Sequence, residues 1–312
     1  MQINSFIFKE LLKRSFTLEG KTRVWNLADS KLWYLTPSQS QGFLDLENTK
    51  DYRNSIINKE VMLVRDNLKS FLKTLVKSSY NIIDLGCGNG EKGALFIKEL
   101  SRFLKVRYCP IDISSYMVDK AAKTVKKLNI GEVVEFRWNI SDFENLSNVT
   151  PLLKEGEFQN NFLLLLGNTL GNFDRDDILN GIAEGMQDGD ILVIGNGISN
   201  GKKEDWIKTY KNKLINQWLV QVPMQLGLDK DFLIYDARFV DSRVEEIYIL
   251  KKDKTIRHLG KTVQFKKGDV ILVAISYKYT KDTLNKNLRK FFRKVSVVID
   301  KEETYALAFC QK

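Results

Sequence analysis

Residues 82–90 read Ile-Ile-Asp-Leu-Gly-Cys-Gly-Asn-Gly. This apolar run, ending in an acid and three alternating glycines, constrains the fold more than any other stretch of the chain. A short apolar run bounded by turn residues makes a buried strand. Glycine lets the backbone turn sharply and pass close to a ligand. Gly86, Gly88 and Gly90 therefore mark the tip of a buried strand where a helix begins, the place at which an open α/β sheet holds a nucleoside-type ligand.

The flanking sequence extends the signal. Strand 81–85 precedes a helical pattern at 91–104, strand 106–111 precedes a helix at 114–128, and 133–139 reads as a third strand. Residues 162–166 form a continuous apolar run, the mark of a strand buried on both faces. A helix at 174–185 and a strand at 190–195 follow, and 294–300 with 304–310 have hairpin spacing. Strands alternating with helices mean a doubly wound, Rossmann-like α/β sheet, here closed by a terminal antiparallel hairpin. Two regions break the alternation. Residues 1–58 are aromatic and turn-rich, with Trp25, Trp33, Tyr34 and Tyr52, and 198–281 turn from helical to strand-like at 239–250 and 269–278. They are expected to form one smaller α+β substrate lobe over the carboxyl edge of the sheet. The expected core is then 59–197 with 282–312, and the accessory lobe 1–58 with 198–281.

Bulk composition narrows the function classes. With 43% apolar and 28% charged residues among 312, the chain reads as a globular protein with one large core and a second lobe. No run of about 18 apolar residues offers a membrane span, and the N-terminus does not resemble a signal peptide. Cys87, Cys109 and Cys310 lack metal spacing and suit reduced thiols, so a cytoplasmic location and no metal are expected. A single histidine, His258, leaves little material for a hydrolase triad or a histidine metal site. The net charge of +10 reads as a lysine-rich solvated surface. Its densest stretches, Lys202–Lys213 with Trp206 and Tyr210, and Lys286–Lys294 with Phe291 and Phe292, keep a nucleic-acid partner open as the alternative.

The glycine turn itself selects the cofactor. A dinucleotide fold needs Gly-x-Gly-x-x-Gly to seat a pyrophosphate on the helix N-terminus, but Glu91 stands at the last glycine position. Glu91 and Asp84 disfavour a pyrophosphate and suit a cationic ligand such as S-adenosylmethionine, a sulfonium. Two phosphate-loop lookalikes, Gly20-Lys21-Thr22 and Gly260-Lys261-Thr262, carry Ser15 and Thr255 where the earlier glycine is required, and both are rejected. Asp112 lies at the carboxyl end of the second strand, 26 positions after Gly86 (112 − 86), where an acid accepts both ribose hydroxyls. After the third strand, Asp142 suits the adenine amino group and Phe143 the ring face.

With these residues in place, the chain resembles class I S-adenosylmethionine-dependent methyltransferases over about residues 75–196 and the terminal hairpin. Four short segments narrow the likeness. Tyr-Cys-Pro-Ile-Asp-Ile-Ser, Leu-Leu-Gly-Asn-Thr-Leu-Gly-Asn-Phe, Ile-Ser-Tyr-Lys-Tyr and the terminal Tyr-Ala-Leu-Ala-Phe resemble, in order, the histidine-specific Nα-methyltransferases of ergothioneine biosynthesis. Fungal relatives of that family act on a tryptophan-derived amine. The resemblance implies an N-methyltransferase for the α-amino group of an amino acid or derivative, histidine-like or aromatic. It implies that Asn172 and Tyr210 hold the amino-acid end as the catalytic pair, with Tyr34 and Tyr52 as further tyrosines at that site and Ser276 near the substrate side chain. Lys92 and Gly167 complete the cofactor set. Histidine-specific members carry a glutamate two positions before the serine, where this chain has Ala274; Glu245 or Glu246 could supply an acid from a neighbouring strand. The expected partner is a small-molecule amino acid, with neither membrane nor nucleic acid required, and a monomer is expected. A methyltransferase acting on RNA or protein, and a non-catalytic S-adenosylmethionine-binding protein, are the alternatives.

Overall fold

The computed structural model describes residues 3–73, 79–136, 139–142, 145–199 and 203–312. Contacts divide the chain into two compact units, one of Met1–Leu46 with Gly201–Tyr277 and one of Glu47–Asn200 with Lys278–Lys312. Residues 47–58, assigned from sequence to the accessory lobe, group instead with the second unit. The reason is local: Glu47 is tied to Lys92, and the chain runs on through Lys50–Tyr52 and Arg53–Ile57 into the helix Asn58–Leu72, whose Leu63, Val64 and Leu68 join the core of that unit. Among the described residues, no helix is long and apolar enough to cross a membrane.

The second unit is a seven-stranded sheet. In chain order its strands are β1 Ser79–Leu85, β2 Lys105–Ile111, β3 Glu132–Val133, β4 Asn161–Leu165, β5 Ile191–Gly197, β6 Lys294–Ile299 and β7 Tyr305–Gln311. Its helices include α1 Asn58–Leu72, α2 Glu91–Leu100, α3 Ser115–Lys126 and α4 Arg175–Gly185. The strand order is β6-β7-β5-β4-β1-β2-β3. The pairs among β1–β5 are parallel, and β7 runs antiparallel between β5 and β6. This is the doubly wound sheet with a terminal hairpin expected from the alternation. β1 and β4 are buried along their whole length, as continuous apolar strands must be. Ile82, Phe162, Leu164, Val193 and Leu307 meet Phe96 and Ile97 of α2 in one core; burying each such side chain stabilises by roughly 1.5–3 kcal/mol.

The third strand is shorter than the sequence suggests. Only Glu132 and Val133 pair with β2, and residues 137–138 lie outside the described set. Pro110 in β2 has no N–H to donate to a ladder. Its carbonyl is taken by the Asn139 side-chain amide at 2.6 Å, and Asn139 N–H closes a turn on Phe136. A single bridge, Asp112 to Ile140, resumes the pairing. The amino ends of the strands are fixed by a buried polar belt in which Asn81 bonds Arg107 and Asn161. The carboxyl ends carry the glycine turns.

The first unit is built on a five-stranded sheet in the order Phe16–Glu19, Thr22–Asn26, Val270–Tyr277, Arg243–Leu250, Leu233–Val240. Its two outer strands are joined through side chains: Arg238 grips Glu19 at 2.7 Å and Glu245 at 2.7 Å, and Arg243 holds Glu245 at 2.5 Å. A bulge falls between Leu272 and Ala274, and Trp33 Nε1 donates to the carbonyl of the extra residue, Val273, at 2.8 Å. Both rejected phosphate-loop lookalikes prove to be hairpin turns, with Gly20 at φ 61° and Gly260 at φ 68°. His258 ends a strand of the second hairpin and meets Ser5 Oγ at 2.9 Å.

Candidate active site

At the tip of β1 the backbone needs glycine. Gly86, Gly88 and Gly90 have φ of 69°, 53° and 78°, the left-handed region that side chains with a Cβ avoid. A Cβ on Gly90 would lie 2.6 Å from Ala121 Cα of α3, whereas a Cβ on Gly88 would meet open space. The loop is therefore clamped against a helix at one glycine and open for a ligand at another. Gly86 N–H donates to Ile111 O at 2.8 Å, which joins the loop to the end of β2. There Asp112, 8% exposed, accepts from Gly88 N–H at 3.3 Å and Ser114 N–H at 3.0 Å. Burial pushes its carboxyl up to about 6 against the pull of those two amides. The Ser114 bond means that Asp112 also fastens the start of α3. Asp142 is half-buried just beyond the Asp112–Ile140 bridge; Phe143 lies outside the described residues. An open left-handed loop whose Gly88 N–H is held by a buried acid suits a ribose-bearing ligand, so these residues fit S-adenosylmethionine.

Asp84 stands behind this loop. It is 3% exposed, accepts from Tyr108 Oη at 2.7 Å, and is pushed up to about 6 by burial. A Cβ on Gly93 would sit 2.3 Å from Asp84 Oδ2, so the first turn of α2 rests directly on the acid.

A buried charge cluster surrounds Lys92 of α2. Lys92 Nζ lies 2.6 Å from Glu47 Oε1. Burial works against its charge, but Glu47, Tyr52 and Glu60 outweigh that and hold the ammonium above its ordinary value. Gly167 gives it room, since a Cβ there would fall 2.8 Å from Lys92 Nζ. Glu60, 1% exposed, has its carboxyl pushed up to about 7 by burial, and a Cβ on Gly195 would lie 1.9 Å from its Oε1. Neither Glu47 nor Glu60 was among the sequence candidates. Glu60 did carry a signal: Ile57, Glu60, Val64 and Leu68 share one buried helical face, so an acid stands in an apolar stripe.

Past β4 the chain makes a tight turn, Thr169–Asn172. Asn168 at φ 69° starts it, its side chain accepting from Gly197 N–H at 2.5 Å and its own N–H donating to Gly195 O at 3.2 Å. Asn172 is half-buried at the end of this pinned turn, and its side chain makes no hydrogen bond to another described residue.

Within the first unit, four sequence candidates come together. Tyr210 Oη donates to Ser276 Oγ at 2.7 Å. Tyr235 Oη lies 2.8 Å from both Tyr210 O and Glu246 Oε1. Glu246 pairs across the sheet with Ala274 on one side and Ala237 on the other. Burial and then Glu246 push the Tyr235 hydroxyl well above its ordinary range, so it remains a donor. Tyr34 lies apart from these, in an aromatic cluster with Trp33, Phe43 and Trp218. Tyr52 belongs to the second unit, half-buried at the end of the turn Lys50–Tyr52. The aromatics that would serve nucleic acid are engaged in packing: Trp206 lies against Phe239 at 5.1 Å, and Phe292 is 3% exposed. Lys202 lies outside the described residues.

Comparison with known proteins identifies the family. A family described as histidine-specific methyltransferase, SAM-dependent, matches residues 40–312. None of the curated proteins compared with the chain matches it. A solved S-adenosylmethionine-dependent methyltransferase from Clostridium acetobutylicum ATCC 824 is 15% identical, with 87% of this chain and 98% of that chain covered and a TM-score of 0.46. The PH0226 protein from Pyrococcus horikoshii OT3 is 13% identical, with 89% and 100% covered and a TM-score of 0.45. The citrinin polyketide synthase CMeT domain is 12% identical, covers 90% of this chain and 59% of that chain, and has a TM-score of 0.50; this likeness is one of fold. The chain therefore belongs to the histidine-specific, S-adenosylmethionine-dependent methyltransferase family, with S-adenosylmethionine as its methyl donor.

Proposed function

We infer that this methyltransferase acts on the α-amino group of an amino acid or a close derivative. The observation that carries the reading is Asn172: a half-buried amide on a pinned turn at the carboxyl end of β4, where ligands of such sheets bind, and not engaged by another described side chain. An amide offers both a donor and an acceptor, the pair that an α-carboxylate and an α-amine require.

The bound methyl donor supplies a carbon already activated by a sulfonium, so the protein's part is alignment. Asn172 orients the neutral amine with its lone pair toward that carbon. Held at the Gly88 loop and Asp112, S-adenosylmethionine would supply an electrophilic methyl group and keep the leaving electron pair on sulfur, and the proton given up by the amine would go to water. No side-chain base is required, in keeping with a chain whose one histidine, His258, ends a strand of a surface hairpin. In Asn172→Ala, S-adenosylhomocysteine binding is expected to match the wild type, while affinity for the amino acid falls at least about tenfold, the worth of one lost hydrogen bond to a charged group. Calorimetry on the two ligands measures both. Unchanged turnover of the true substrate would overturn the assignment.

A further inference from the structure

We propose that Glu60 is a positioning residue for the methyl transfer: by its charge it holds the turn that carries Asn172. This rests on the part given to Asn172 above and adds a control of that site which the α-amino reading does not contain.

The fold is cut to fit this carboxylate. Glu60 stands in the buried stripe Ile57, Leu63, Val64 and Leu68. A Cβ on Gly195 would overlap its Oε1, and Tyr305 Oη of β7 lies 2.9 Å from the same point. Gly195 pairs with Leu307 as an ordinary residue of β5 and does not have a positive φ. Its backbone therefore does not call for glycine; the carboxylate does.

From this pocket Glu60 reaches the root of the turn. Its Oε1 accepts from Gly167 N–H at 3.4 Å. Gly167 precedes Asn168, whose N–H donates to Gly195 O at 3.2 Å. So the glycine that donates to Glu60 and the glycine that makes room for it together fix the start of Thr169–Asn172. A bond of 3.4 Å is long. A charged acceptor draws an N–H closer and holds it about twice as strongly as a neutral one.

The neighbours decide whether Glu60 is charged. Glu47 and Glu60 share one ammonium, Lys92, which Glu47 takes at 2.6 Å. Among the described residues, Glu47 Oε2 and Glu60 Oε2 make no hydrogen bond, so two ionised acids here are one positive charge short. Burial and Glu47 favour the neutral acid, Lys92, Gly167 N–H and Tyr305 favour the carboxylate, and the balance falls at about 7. Tyr52 also faces Lys92 and Tyr305, both of which are held above their ordinary values and keep one charge state near neutral pH. The grip on Gly167 thus tightens as pH rises through neutrality.

The test compares wild type with Glu60→Gln, which keeps the shape and loses the charge. Initial rates are taken at saturating S-adenosylmethionine with histidine and with tryptophan as methyl acceptors. The ratio of kcat/KM, wild type over variant, cancels the titration of the acceptor's own amine. It should climb from parity at about pH 5.5 to about fivefold at about pH 8.5. A merely structural role would lower the variant alike at every pH. Independently of any acceptor, the Gly167 amide signal of nitrogen-15 glycine-labelled protein, assigned by its loss in Gly167→Ala, should titrate near 7 in wild type and not in Glu60→Gln. A ratio that does not change with pH, or a Gly167 signal that ignores pH in wild type or titrates equally in the variant, would overturn the proposal. Methylation of neither acceptor, with the Gly167 titration present, would instead remove the α-amino reading on which it rests.

Discussion

Replacing Asp112 by asparagine should move stability and cofactor affinity in opposite directions. The carboxylate is 8% exposed, and burial raises it from an ordinary 3.8 to about 6. Its folded pKa lies above its unfolded one, so the folded state holds the proton more tightly between those values, and stability falls as pH rises through that window. At about 1.36 kcal/mol per pH unit, the gap from 3.8 to about 6 costs the cofactor-free protein about 3 kcal/mol at pH 8. Asparagine carries no charge and removes that cost. It keeps one oxygen for Ser114 N–H, but places an amide donor where Gly88 N–H now donates at 3.3 Å, returning about 1–2 kcal/mol. The cofactor-free variant should therefore gain about 1–2 kcal/mol at pH 8, and the gain should turn into a loss of about 1 kcal/mol as pH falls toward 4. Its affinity for S-adenosylhomocysteine should drop at least about tenfold, because the acceptor for the ribose hydroxyls has lost its charge. Urea unfolding across pH and calorimetry read the two effects. A variant that is less stable at pH 8 and binds S-adenosylhomocysteine as the wild type does would refute the reasoning.

The buried cluster and the glycines give further expectations. Glu60 is raised from 4.5 to about 7 by burial, so its contribution is present below about pH 4.5 and lost as pH rises through about 7. Glu60→Gln should flatten that fall, by about 3 kcal/mol between pH 4.5 and 8, in urea unfolding of the cofactor-free protein. Gly195→Ala sets a Cβ 1.9 Å from Glu60 Oε1 and should destabilise by about 2 kcal/mol or more. Glu60→Ala in the same chain should recover part of that loss, and purely additive losses in a double-mutant cycle would contradict the contact. Gly93→Ala, with its Cβ 2.3 Å from Asp84 Oδ2, should lower the melting temperature, while Gly88→Ala, which meets only backbone strain, should lose cofactor affinity.

Much of the core was legible because its signals are local. The run at 82–90 gives the strand, the turn and the helix start within nine residues, and each rests on glycine geometry or an apolar period. The place of Asp112, just past the end of β2, was legible from the apolar strand that precedes it. What the sequence could not carry was non-local. The truncation of β3 depends on a proline in the neighbouring strand and on the Asn139 side chain that answers it. The Lys92–Glu47 pair joins residues 45 positions apart, so no window contains both. The side of the sheet taken by Ala274 and Ser276 hinges on one bulged residue, Val273, whose carbonyl is satisfied by Trp33 from a segment 240 positions away; periodicity assigns two adjacent residues to opposite faces but does not reveal an extra residue between them.

The central claim, methyl transfer from S-adenosylmethionine to an α-amino nitrogen, is tested most directly by the product. The enzyme is incubated with isotopically methyl-labelled S-adenosylmethionine and a panel of free amino acids, and the products are fragmented by mass spectrometry. The account predicts label on the α-nitrogen of an amino acid, with one S-adenosylhomocysteine formed per methyl group. Label confined to a side-chain atom, or found only when RNA or protein replaces the amino acids, would contradict it.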